Sequence, residues 1–135
     1  MPLGFLSVKK IDPAQVRADV LAVADWVRDP QQETRPERSA LARAVRGSVR
    51  MLAQEAPGHA VELRVPPFAA VQCIDGPRHT RGTPPNVVET DPATWLRLAV
   101  GLADFDSAVA AGKVTSSGSR ASDVAAHLPV VALGR

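Results

Sequence analysis

Arg78, His79, Thr80 and Arg81 stand side by side, with Thr83 two places on. Two guanidiniums, an imidazole and two hydroxyls are donors suited to a phosphate or carboxylate. They sit on a segment, 76–85, hinged by Gly76, Pro77, Gly82, Pro84 and Pro85. Two readings stand open. The segment recognises an anionic headgroup or the acidic patch of a protein partner, or it is a proline-stiffened connection whose arginines pair with Glu62, Asp75, Glu89 or Asp91. Cys73 lies inside the apolar run 68–74, where a free cysteine behaves as a small buried hydrophobe. A thiolate nucleophile needs an electropositive, accessible site, and only the nearness of Arg78 and His79 in sequence speaks for one. His59, His79 and His127 are dispersed, without an i,i+4 pair or a cysteine at metal spacing, so no metal site is expected. Asp104 and Asp106 flank Phe105 where a helix begins, and capping accounts for them better than acid–base catalysis. There is no Gly-rich phosphate loop and no Gly-x-Ser-x-Gly elbow. The expectation is a protein that is not an enzyme and needs no cofactor.

The elements that must position these residues are marked by caps and breakers. Asp12-Pro13 starts a helix, with Gln15 in the place of a capping-box partner. Val16, Val20, Val23, Ala24 and Val27 recur at helical spacing up to Pro30, which predicts one amino-terminal helix over 11–29. Thr34 to Glu37 reads as a second capping box, opening a helix with the stripe Leu41, Val45, Val49, Leu52 and Ala56, stopped by Pro57-Gly58. The period then changes. Val61, Leu63 and Val65 alternate with Glu62 and Arg64, the mark of a half-buried strand, and Pro66-Pro67 puts that strand at an edge or ends it. Residues 68–74 predict a second strand and 86–89 a third. Asp91-Pro92 starts a helix running to Gly101. A short helix over 104–111 ends at Gly112, a fourth strand covers 114–118, and an amphipathic helix 122–128 precedes Pro129. Two helices, three strands, two helices, a strand and a helix predict an α+β domain with helices on one side of a small, largely antiparallel sheet.

Bulk composition narrows the function. At 135 residues the chain is a single domain, 1–135, large enough to bury a sizeable core. Hydrophobic residues make up 45% but aromatics only 4%, so a cavity in this protein would be walled by methyl groups. Single-stranded nucleic acid calls for aromatic platforms. Double-stranded nucleic acid calls for clustered Lys and Arg. With a net charge of +2 and both signs interleaved, the chain predicts no basic stripe and no nucleic-acid partner. One cysteine fits a reducing compartment, the amino terminus lacks the pattern of a secretory signal, and no apolar run approaches a membrane span. The expected location is the cytoplasm.

The stretch from Asn86 to Gly118 carries the most specific pattern. Trp95-x-x-Leu98-Ala99-x-Gly101 is followed by Ala108-x-Ala110-x-Gly112-x-Val114, a strand, a capped helix, a short helix and a strand. This arrangement resembles the lipid-pocket half of the sterol-carrier-protein-2 family, over residues 45–133. Taken whole, the chain is similar to small actinobacterial proteins of the sterol-carrier family. The resemblance implies a twisted, mainly antiparallel five-stranded sheet under a helical layer, with 37–133 as the core and 11–29 as an added amino-terminal helix. It implies an interior tunnel for a lipid, fatty acyl chain or sterol-like molecule, bound or carried without catalysis. By position, Trp95, Leu98, Leu102, Phe105 and Val109 would face the tunnel, and Val124, Leu128 and Val131 would belong to its closing segment. The added helix could instead fill the tunnel, leaving an interaction module that docks a protein through the charged loop. Thiol-dependent isomerases with a similar carboxy-terminal domain form a third comparison, but their metal-binding helical bundle is absent here.

Overall fold

The computed structural model describes residues 10–76 and 86–133. The chain runs α1 (Pro13–Leu21), α2 (Ala24–Arg28), α3 (Arg38–Glu55), β1 (Val61–Val65), β2 (Ala69–Cys73), β3 (Val87–Thr90), α4 (Pro92–Ala99), α5 (Phe105–Ala110) and β4 (Val114–Ser117). A 3₁₀ helix, Ala121–His127, follows. The strands form one sheet in the order β2-β1-β3-β4. β1 is antiparallel to β2 and parallel to β3, and β3 is antiparallel to β4. The described residues thus form an α+β fold on four strands, and the fifth strand implied by the family resemblance is not among them.

Alternation decides which face of the sheet is covered. Val61, Leu63 and Val65 are buried, as are Val71, Cys73 and Val88. Between them Glu62, Arg64, Gln72 and Glu89 point the other way and keep contact with solvent. On that outer face Arg64 pairs with Glu89 across the strands at 3.4 Å and with Glu62 at 3.6 Å. Such exposed pairs contribute about 0–1 kcal/mol and serve mainly to hold register. The inner face carries α3 and the 3₁₀ helix, and α1 and α4 pack in turn on α3. Leu41, Val45, Val49 and Leu52 of α3 are fully buried, which is why the stripe is helical in period.

Local signals set the helix ends. Asp12 Oδ1 accepts from the Ala14 N–H at 3.0 Å, and Asp91 accepts from the Thr94 N–H at 3.1 Å and from its hydroxyl at 2.6 Å. Pro follows the capping aspartate in each case. At the other end of α5, Gly112 at φ +76° lets Lys113 N–H reach the Ala108 carbonyl at 2.9 Å, closing a Schellman turn.

Four expectations need correction. The amino-terminal helix is two helices, broken at Ala22 and Val23, and Arg97 Nη1 donates to the Val27 carbonyl at 2.7 Å and to that of Arg28 at 3.1 Å. An arginine from α4 thus satisfies carbonyls that the short α2 leaves open, which the continuous valine period cannot reveal. Gln15 does not close a capping box; its side chain donates to Asp19 at 3.0 Å. Glu37, not Thr34, occupies the N-cap of α3, and without a side-chain hydrogen bond, because Pro36 holds the chain extended until that point. Of the two alternatives for Pro66-Pro67 the second holds: β1 is internal and ends at Val65, with both prolines in the turn to β2, closed by Phe68 N–H on the Val65 carbonyl at 3.0 Å. The last helix is 3₁₀ rather than α, and buries Ala121 and Val124.

Candidate functional site

The site is built where α4 ends. Gly101 takes φ +84°, a left-handed conformation that reverses the chain. Leu102 N–H then returns to the Arg97 carbonyl at 2.8 Å, and Gly101 N–H to that of Leu98 at 3.2 Å. The reversal throws the Leu102 side chain outward, where it stays 43% exposed although its neighbours on α4 are buried. Asp104 restarts the chain as α5 by accepting from the Ser107 N–H and hydroxyl, both at 2.9 Å. The third wall comes from the carboxy-terminal segment. Val130 N–H at 2.8 Å and Val131 N–H at 3.1 Å both donate to the Ala99 carbonyl, and Arg17 of α1 donates to the Ala132 carbonyl. These bonds hold Leu128 and Pro129 against the end of α4.

The result is a solvent-open groove of about 440 Å³, walled by Leu98, Leu102, Phe105, Ala125, Leu128 and Pro129 with Asp104 and Asp106 at its rim. A second open groove of about 520 Å³ adjoins it through Ala103 and Asp104 and runs along α4 and α5 toward Arg97 and Lys113. What the first can do chemically is limited and clear. Its surface is mixed, with alkyl groups from Leu102 and Leu128 beside polar backbone and the carboxylates of Asp104 and Asp106, and its lining holds no Ser, Cys, His or Lys.

Of the eight apolar residues expected at a ligand site, the groove brings together Leu98, Leu102, Phe105 and Leu128. The other four lie elsewhere. Trp95 is buried one turn back on α4, where its Nε1–H donates to Ser48 Oγ at 2.9 Å. Val124 and Val131 are core residues, and Val109 is half-buried on α5. Arg78, His79, Thr80 and Arg81 lie outside the described residues. Sequence reasoning missed the part played by Gly101, Ala125 and Pro129. The signal available for Gly101 was its position just past a helix end.

Electrostatics separates the remaining candidates. Burial pushes the Cys73 thiol up to about 12, so it is protonated at neutral pH and no nucleophile. A thiol reagent is therefore expected to leave the native protein unmodified and to label Cys73 once denaturant is added, as mass spectrometry of the two samples would record. Labelling of the native protein at a rate matching the denatured chain would contradict this. The hydrogen bond from the Ser107 backbone, with that from its hydroxyl, holds the Asp104 carboxyl below its ordinary value of 3.8. A depressed carboxylate stabilises the fold in full above its unfolded value, and that contribution is lost as pH falls through the folded one. Asp104→Ala is accordingly expected to melt below wild type at neutral pH, with the gap closing as the pH is taken below 3.8. A gap independent of pH would remove the cap from the account. Among the described residues no group of three or more His, Cys, Asp and Glu is placed to hold a metal ion, and no helix is long and apolar enough to cross a membrane.

Comparison with known proteins gives one clear result. Residues 37–130, from the start of α3 to the closing segment, match the model of a family described as bacterial SCP ortholog, SCP being sterol carrier protein. α1 and α2 precede the matched stretch. No curated protein matches the chain.

Proposed function

Because this chain belongs to the bacterial SCP ortholog family, we propose that it binds and carries an apolar or amphipathic small molecule without catalysis. Leu102 and Leu128 supply the contact surface, backed by the buried side chains of Leu98 and Phe105. The observation that carries this reading is the large side chain of Leu102, left 43% exposed by the Gly101 reversal on the wall of a solvent-open groove of mixed polar and apolar surface. Its volume of about 440 Å³ falls among small-molecule sites, which span ~300–1,000 Å³. Each methylene taken out of water contributes about 0.8 kcal/mol, so roughly eight to ten of them supply gross free energy for micromolar binding. Few directional contacts are needed, and the groove offers few. A lipid, fatty acyl chain or sterol-like molecule fits this chemistry. The closing segment, with Val124 and Val131 in the core behind it, would be the part that yields to a longer chain. Protein in the cytoplasm would meet such ligands as free or membrane-derived molecules.

A second reading is favoured by the filled core. Trp95, Leu63 and the α3 stripe are packed to full burial where an interior tunnel was expected. On that reading α1 and α2, the segment 76–85 and the same groove dock a protein. Titration with a saturated fatty acid, followed by backbone amide shifts, distinguishes the two. Shifts concentrated on residues 98–106 and 125–129, saturating at equimolar ligand, support the carrier. Absence of shifts with acyl chains, acyl-CoA and sterols alike would leave the interaction module.

A further inference from the structure

The expectation that the chain has no basic stripe is overturned on α3. Arg43, Arg46 and Arg50 recur at i, i+3 and i+7, which places them on one helix face together with Gly47. That face looks at α1. Gly47 brings the two helices close, since a Cβ there would lie 3.2 Å from Val16 Cγ2. The close approach turns an exposed arginine face into the wall of a groove of about 450 Å³, which Lys10, Ile11, Asp12, Gln15 and Asp19 complete from the side of α1.

The charges in this groove are not balanced among the described residues. Four cations, Lys10, Arg43, Arg46 and Arg50, face two carboxylates, and both carboxylates are engaged locally: Asp12 caps α1 and Asp19 accepts from Gln15. Arg46 Nε donates to the Phe68 carbonyl at 3.0 Å, leaving its terminal nitrogens. Among the described residues Arg43 and Arg50 enter no ion pair, and Arg50 Nε, like Arg64 Nε on the outer sheet face, is buried with no hydrogen-bond partner. A buried N–H without an acceptor is unfavourable and calls for an explanation. Like charges at these helical spacings also repel. An arrangement that loses stability in the empty protein and recovers it with an anion is the mark of a ligand site.

We propose that the α1–α3 groove binds a phosphate group, with Arg43 and Arg50 as its principal ligands and Arg46 and Lys10 in support. Guanidinium forks match the oxygens of a phosphate, and convergent arginines favour a dianion over a single carboxylate. The phosphate is either free or on a small molecule, or it is the headgroup of an anionic lipid. The site shares no lining residue with the Leu102 groove and stands whether or not that groove holds an apolar ligand.

Calorimetric titration with inorganic phosphate at fixed ionic strength tests it. Wild type is expected to bind, and Arg43→Gln/Arg50→Gln to bind roughly tenfold or more weakly, as loss of charge-assisted hydrogen bonds requires. In phosphate-free buffer the double variant should melt no lower than wild type, because it removes repulsion and an unpaired donor. Arg28→Gln/Lys113→Gln removes the same charge elsewhere and should bind as wild type. Sedimentation with phosphatidylcholine vesicles doped with phosphatidic acid separates the two sources. Capture of wild type but not of the Arg43/Arg50 variant, without response to free phosphate, assigns the site to lipid headgroups. Binding of neither probe, equal binding by wild type and the double variant, or a lower melting point of that variant without phosphate would each overturn the proposal.

Discussion

Trp95→Ala is expected to destabilise the protein by about 3–5 kcal/mol, the range for removing a large buried aromatic side chain. Domains of this kind have total stabilities of only ~5–15 kcal/mol, so much of the variant would be unfolded on mild heating. The argument rests on where the ring lies. Trp95 is fully buried between α4 and α3, and its indole N–H is matched to Ser48 Oγ at 2.9 Å. Ser48 is itself fully buried and donates to the Ala44 carbonyl at 2.7 Å. The two polar atoms are therefore satisfied only by one another and by the helix backbone. Ser48→Ala should cost about 1–3 kcal/mol, because it leaves the indole N–H without an acceptor. Added to Trp95→Ala, however, it should cost much less than it does alone. Urea denaturation of the two single variants and the double variant measures this coupling. Strict additivity would mean that Trp95 and Ser48 act independently, against the geometry.

Leu102→Asp should have the opposite profile, with little change in stability and a large change in binding. The side chain is already 43% exposed and belongs to a turn, so the folded protein loses little when it is replaced. A bound alkyl chain would cover it. Completing the burial of a half-exposed leucine is worth about 1 kcal/mol, and placing a carboxylate against the alkyl chain adds a desolvation cost. The combined effect is a loss of roughly ten- to a hundredfold in affinity. Fatty acid titrations of the two proteins, with their melting points, give both quantities. Unchanged affinity would show that ligand, if bound, lies elsewhere.

How much of this could be read without coordinates depends on how local the signal is. Asp12, Asp91 and Asp104 cap helices within three residues, Gly101 and Gly112 end them within one turn, and all five are plain in the sequence. β1 was legible because buried Val61, Leu63 and Val65 alternate with half-buried Glu62 and Arg64 on a two-residue period. What failed was set by distant partners. The carbonyls left open at the end of α2 are satisfied by Arg97, some 70 residues away, and nothing in the valine pattern reports it. Ser48 carries no signal of its own in the sequence, and only its meeting with Trp95 gives it a role.

The candidate site divides the same way. Leu98, Leu102, Phe105 and Leu128 were nominated as an apolar set and do share a groove. Trp95, Val124 and Val131, implied by the same family resemblance, lie in the core, because position in a family pattern does not tell a ligand wall from packing. The arginine face of α3 was hidden by averaging charge over the whole chain. Its residues are spaced for one helix face, but the groove exists only because Gly47 admits α1.

The most direct test of the carrier reading is native mass spectrometry of the protein purified from its own host, with organic extraction of whatever it retains. The account predicts a stoichiometric added mass that survives purification and extracts as lipid, and that is lost from Leu102→Asp purified in parallel. A clean mass for the chain alone, with no thermal shift on adding acyl chains, acyl-CoA or sterols, would contradict it.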